Sequence, residues 1–200
     1  MKDIKCVLIG DGAVGKTSLN VTYTTGSFPI ENVPTVYDKL TVNIMYEDKS
    51  IRLHIYDIAG VEEPDVKLGY YIPKTDVFIF CFSLVCPDSL NSVINVWQPK
   101  IIEKCPGVPY ILAGLKSDLR DDLIKNKISD DSGYIKPIPT SQGEKAKIEI
   151  NALDYIECSS LNKYNLNEVF MSAIEQTFNG RENRSSNDSK KTENVCCQIY

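Results

Sequence analysis

The run Gly10-Asp11-Gly12-Ala13-Val14-Gly15-Lys16-Thr17 puts a lysine and a hydroxyl directly behind a loop bracketed by glycines. Such a loop lets backbone N–H groups curl around anionic oxygens. The lysine can then reach the outer phosphates of a nucleoside triphosphate, and the next hydroxyl suits Mg²⁺. A short apolar run, Ile4 to Ile9, leads into the loop, and a helix-compatible run, Lys16 to Thr24, leaves it. That strand–loop–helix context separates a phosphate loop from a chance glycine turn, and the helix N-terminus favours the anion further.

Three shorter motifs follow, each closing an apolar run. In Asp57-Ile58-Ala59-Gly60 the carboxylate can hold Mg²⁺ through its water shell. In Leu115-Lys116-Ser117-Asp118 the carboxylate can accept two hydrogen bonds, from N1–H and the 2-amino group of guanine. Adenine lacks that donor pair, so the motif favours guanine. The Lys116 stem can lie against the base plane. In Cys158-Ser159-Ser160-Leu161 a backbone N–H can meet the guanine carbonyl. An isolated Asp at a strand end is more often a turn residue. The order of these motifs, all at strand C-termini, fits the rule for ligand sites in open α/β sheets.

The elements that must position these groups can be read from patterning. Lys39 to Tyr46 and Ser50 to Tyr56 read as two strands joined by a hairpin at Glu47-Asp48-Lys49. Val77 to Val85 is apolar at almost every position, as in a strand buried on both faces. Pro87 to Lys104 reads as a helix with Pro87 in its first turn and a kink expected at Pro99. Pro109 to Leu115 and Asp154 to Cys158 read as strands, and Ser141 to Ile150 as a helix. Gly26 to Asp38 and Ala59 to Pro73 read as irregular, and Asp121 to Pro139 is polar with no clear period. Asn165 to Phe178 shows one apolar helical face, and from Asn179 the composition reads as a disordered tail. Strands alternating with helices predict an α/β fold: a mostly parallel six-stranded sheet with helices on both faces and one antiparallel edge strand from the hairpin.

Composition sets the limits. At 200 residues, with 42% apolar and 24% charged residues, the chain suits one domain, placed at 1–179, plus a tail, 180–200. A net charge of −5 argues against a general nucleic-acid binder. The longest apolar stretch, Val77 to Cys86, is too short to span a bilayer. No cysteine pair has metal-ligand spacing, and His54 is the only histidine.

On these residues the chain resembles the small GTPases of the Ras superfamily, and more closely their Rho/Rac branch. The likeness runs through Ile4-Lys5-Cys6, Gly10 to Thr17, Tyr23-Thr24-Thr25, Phe28-Pro29, Pro34-Thr35-Val36, Thr75 to Phe78, Cys81 to Val85 and Asp118 to Asp122. The polar stretch from Asp121 to Pro139 lies where Rho-type proteins carry an extra helical insert.

The resemblance implies bound GTP or GDP with Mg²⁺, contacted by Gly10 through Ser18, Phe28, Thr35, Asp57, Ala59, Gly60, Lys116, Asp118, Ser159 and Ser160. It implies Mg²⁺ at Thr17, Thr35 and, through water, Asp57, and roles in hydrolysis for Lys16, Thr35 and Gly60. Asn32, Val33, Pro34, Thr35, Val36, Tyr37, Asp38, Lys39 and Leu40 would form the effector surface, ordered only while the γ-phosphate is present. The implied partners are effectors, exchange factors and activating proteins, met by a monomer that signals to the actin cytoskeleton. Its implied place is the cytoplasmic face of a membrane, with a cytosolic pool.

The departures from that pattern gather in the second switch. Val61 stands where Gln is usual, Ile58 where Thr is usual and Pro64 where Tyr is usual, and Val66 to Ile72 matches poorly. Asn32 replaces a Tyr, Leu115 a Thr, and Ser160 the Ala of Ser-Ala-Leu. Val61 points to slow hydrolysis, and its alternative reading is a GTP-loaded effector platform. A nucleotide kinase or ATPase would need an acceptor site and lid arginines, and neither is evident. The chain ends Cys197-Gln198-Ile199-Tyr200, a prenylation pattern at Cys197 with Cys196 beside it for palmitoylation. The charges of residues 181–200 leave a net of +1, so lipid rather than a basic patch would hold the membrane.

Overall fold

Residues 77–83 alternate between two cores, which is why the segment is apolar throughout. Val77, Ile79 and Cys81 point into one cluster, and Phe78, Phe80 and Phe82 into the other. The computed structural model describes residues 1–29, 38–58, 72–126 and 135–185, without the side chains of residues 38 and 180–185. The strands are β1 (Lys2–Ile9), β2 (Asp38–Tyr46), β3 (Lys49–Asp57), β4 (Val77–Ser83), β5 (Tyr110–Leu115) and β6 (Tyr155–Glu157). They lie in the order β2-β3-β1-β4-β5-β6. The β2–β3 pair is antiparallel and the other pairs are parallel. The expected six-stranded sheet with one antiparallel edge is therefore present.

The helices are α1 (Lys16–Thr25), α2 (Pro87–Ser92), α3 (Gln98–Lys104), α4 (Ser117–Asn126), α5 (Thr140–Glu149) and α6 (Leu166–Ser185). Helices α1 and α6 cover one face through Leu19, Val169, Phe170 and Ile174, and Tyr23 stacks on Phe170 at 3.9 Å. Helices α2, α3 and α5 cover the other through Leu90, Ile101 and Ala146. Among the described residues no helix is long and apolar enough to cross a membrane.

Several boundaries differ from expectation for local reasons. The hairpin turns on two residues, not three, because Tyr46 pairs with Lys49 and Glu47 takes a left-handed conformation. At Pro99 the helix widens instead of simply kinking. Val93–Trp97 forms a π-helical turn between α2 and α3, closed by the Gln98 N–H on the Val93 carbonyl. The wider turn precedes the residue that lacks an N–H and whose ring would crowd the carbonyl four residues back. Residues 121–126, read as aperiodic, belong to α4, a mostly solvated helix needing no continuous apolar face. Helix α6 runs past Asn179 to Ser185, because Arg181, Glu182 and Arg184 are adequate helix formers and no proline stops it.

Candidate functional site

The C-terminal ends of β1, β3, β5 and β6 carry the sequence motifs to one rim of the sheet. β1 stops at Ile9, and Gly10 follows at φ 149°. A Cβ there would lie 2.1 Å from the Cys81 carbonyl oxygen on β4, so no other residue fits. Ala13 at φ 59° and Gly15 at φ 113° continue the curl, and α1 starts at Lys16. Lys16 is only 5% exposed, and its Nζ donates to the carbonyls of Gly10 (2.8 Å) and Asp11 (2.6 Å). Burial lowers its pKa, against the opposing pull of Asp57, Cys81 and Asp11. The ammonium thus lies inside the curl, where an anion would strengthen its charge.

Thr17 and Asp57 meet at the same rim of the sheet. The Thr17 hydroxyl donates to Asp57 Oδ2 at 2.5 Å, with Asp57 buried at the end of β3. A hydroxyl and a carboxylate are hard oxygen donors, the set that suits Mg²⁺. Mg²⁺ bound there would neutralise phosphate charge.

The residues expected to meet the base lie on a neighbouring loop pair. The sequence pattern puts Asp118 at a strand end, but in the structure it lies in the first turn of α4. β5 ends at Leu115, Lys116 turns the chain at φ 64°, and the helix starts at Ser117. A carboxylate in a first helical turn is favoured by the helix dipole. Ser159, fully buried, donates its hydroxyl to Asp118 Oδ1 at 2.5 Å. The Ser117 N–H bonds the Cys158 carbonyl, which ties the two loops through backbone as well. Lys116 Nζ donates to the Ala13 carbonyl at 2.6 Å, and burial lowers its pKa against Cys86 and Asp118. The lysine therefore spans from the base loop to the phosphate loop.

The remaining site residues divide in two. Phe28 lies beyond α1, 39% exposed and, among the described residues, outside both core clusters. Ser18 lies in the first turn of α1, and Ser160 follows Ser159. Asp38, Lys39 and Leu40 open β2. Residues 32–37, with Thr35, and 59–71, with Ala59, Gly60, Val61 and Pro64, lie outside the described residues, as do Cys196 and Cys197.

One contact has no sequence signal. Trp97, on the π-helical turn and 7% exposed, donates Nε1–H to Asp11 Oδ1 at 2.7 Å. In the sequence it belongs to the apolar stripe Leu90-Val93-Trp97-Ile101 and reads as core. The one available hint is that a buried indole N–H needs an acceptor.

A glycine-curled loop holding a buried lysine, a hydroxyl–carboxylate pair behind it and the strand–loop–helix context together define a P-loop nucleotide-binding protein. A sequence model described as the Ras family matches residues 5–179. The chain belongs to the Ras family of small GTPases.

Proposed function

We propose that this Ras-family protein is a Rho/Rac-like switch that cycles between GDP- and GTP-bound states to control effectors at a membrane surface, including actin organisation. The observation that supports guanine selectivity is the hydrogen bond from Ser159 to Asp118, two residues beyond Lys116, whose ammonium reaches the phosphate loop. The Rho/Rac assignment is supported by the residue runs named above and by the polar insert. In this reading Lys16 holds the outer phosphates and Thr17 and Asp57 hold Mg²⁺. Lys116 lies against guanine, and Cys197 carries a prenyl chain with Cys196 as a second lipid site. Asn32 to Leu40 meets effectors.

Val61 favours a second reading, a GTP-loaded platform that hydrolyses slowly. A Gln at this position orients the attacking water, and valine has neither donor nor acceptor with which to do so. Single-turnover GTP hydrolysis by the parent and by Val61→Gln, both without activating protein, decides between the readings. A slow parent and a faster variant support the platform. Brisk hydrolysis by the parent supports the cycling enzyme, and equal rates remove Val61 as the cause of any slowness.

A further inference from the structure

Outside the base loops, Glu157 has donors on both carboxylate oxygens. Arg120 Nη1 donates to Oε2 at 2.6 Å, Thr140 Oγ1 to the same oxygen at 3.2 Å, and the Tyr155 hydroxyl to Oε1 at 2.7 Å. The Arg120 and Glu157 side chains are only 11% and 12% exposed. The Glu157 carbonyl also accepts from Asn165 Nδ2 at 3.0 Å. Helices α4 and α5, strand β6 and the entry to α6 therefore converge on one residue.

Its place in the chain gives this cluster a consequence. Arg120 follows Asp118 by two residues on α4, and Glu157 precedes Ser159 by two residues at the end of β6. The ion pair therefore clamps the two segments that carry the Ser159–Asp118 hydrogen bond. β6 is an edge strand of three residues, with little ladder of its own to resist fraying. Helix α5 also gives up a side chain to fit the cluster. A Cβ on Gly143 would lie 2.1 Å from the Tyr155 hydroxyl, and glycine inside a helix is destabilising against alanine. Nor is a buried ion pair a strong source of stability, since desolvation offsets most of its attraction. Burial, then the bond to Glu157, raises the Tyr155 pKa well above its usual value, so the phenol stays a donor. The arrangement makes more sense as a device for position than for stability.

We propose that Arg120 and Glu157, with Tyr155 and Thr140, are positioning residues for guanine selectivity: they hold Ser159 on Asp118 and so keep both carboxylate oxygens aimed at the base. This rests on the reading of Asp118 as the guanine-selecting carboxylate. If the clamp loosens, Asp118 keeps one good hydrogen bond to the base and loses the other. GTP should then suffer more than ITP, whose base lacks the 2-amino donor.

The test is equilibrium binding of GTP, ITP and ATP to the full chain and its variants. The parent should prefer GTP over ITP and ATP; a parent with no such preference refutes the guanine site itself. Glu157→Gln, which keeps shape and removes charge, should weaken GTP about tenfold and ITP about threefold. Tyr155→Phe, a milder change should Glu157→Gln fold poorly, should move the GTP:ITP ratio the same way by about twofold. Arg120→Lys, which preserves the charge, should keep most of the ratio. In a Ser159→Ala background, Glu157→Gln should add little, because both act on one bond. Equal losses for GTP and ITP in a parent that does discriminate, or full additivity with Ser159→Ala, would overturn the clamp and leave the guanine site standing.

Discussion

Replacing Trp97 by phenylalanine removes one hydrogen bond from the phosphate loop and leaves most of a ring in the core. The bond at stake is Nε1–H to Asp11 Oδ1, 2.7 Å long, with a charged acceptor. Hydrogen bonds to charged groups contribute about 1.5–3 kcal/mol. Asp11 is half-buried, so water takes over part of that bond, and about 1 kcal/mol remains. The released carboxylate is then free to turn toward the space where Lys16 Nζ lies on the Gly10 and Asp11 carbonyls, the space for phosphate. Both effects weaken nucleotide binding, and together they predict a loss of about fivefold in GTP affinity for Trp97→Phe. The smaller ring also lowers stability by about 1–2 kcal/mol.

Two measurements separate these consequences: competition of GTP against a fluorescent nucleotide, and thermal unfolding without nucleotide. If the freed carboxylate causes the binding loss, Asp11→Ala in the Trp97→Phe background should recover most of the GTP affinity and none of the melting temperature. A Trp97→Phe protein that melts earlier but binds GTP within about 1.5-fold of the parent would refute the link between the indole and the loop, leaving Trp97 as core alone. Trp97 is also the chain's only tryptophan, so the parent's emission should change as nucleotide enters or leaves.

Other outcomes follow from the same geometry. Asp118→Ala should weaken GTP by at least about 2 kcal/mol, because guanine donors lose charged partners; unchanged affinity would move the base site elsewhere. Burial lowers the Lys16 pKa from its usual 10.5, whereas bound phosphate would raise it. Between those two pKa values nucleotide binding must take up a proton, so affinity should fall as pH rises through that window. Calorimetry in two buffers of different ionisation enthalpy reads the proton directly, and no uptake at alkaline pH would show that Lys16 is already charged in the free protein. The same lowered pKa makes the nucleotide-free protein relatively more stable as pH climbs toward 10.5, because the unfolded lysine still holds its proton. Cys197→Ser should leave the protein wholly in the cytosolic fraction, and persistence of that variant on membranes would refute the lipid anchor.

What could be read from the sequence was whatever the backbone requires locally. Gly10 and Gly15 announce the phosphate loop because both take positive φ, and at Gly10 the Cys81 carbonyl also leaves no room for a side chain. The double-sided apolar run of β4 announces a buried parallel strand because both faces are covered. The hairpin, the sheet and the strand-end motifs followed from such signals. Asp118 reads from the sequence as the end of a strand and instead opens α4, because a left-handed Lys116 marks the turn and no residue-type preference signals a lysine there.

The contacts that hold the site together were not legible, and for one physical reason. Trp97 and Asp11 are separated by 86 residues, Lys116 and Ala13 by 103, and Arg120 and Glu157 by 37. Each pair meets only after the strand order is set, and neither partner looks unusual in its own segment. Arg120 borders a polar stretch with no clear period, and Glu157 is the polar residue of a short strand. Gly143 is the exception that could have raised a question, since a glycine inside a helical run asks what approaches it. The answer, the Tyr155 hydroxyl, leads straight to Glu157. Motifs thus name the groups that would touch the nucleotide, because backbone geometry constrains them. The residues that aim those groups are constrained by packing across the sheet, and only the assembled fold brings them together.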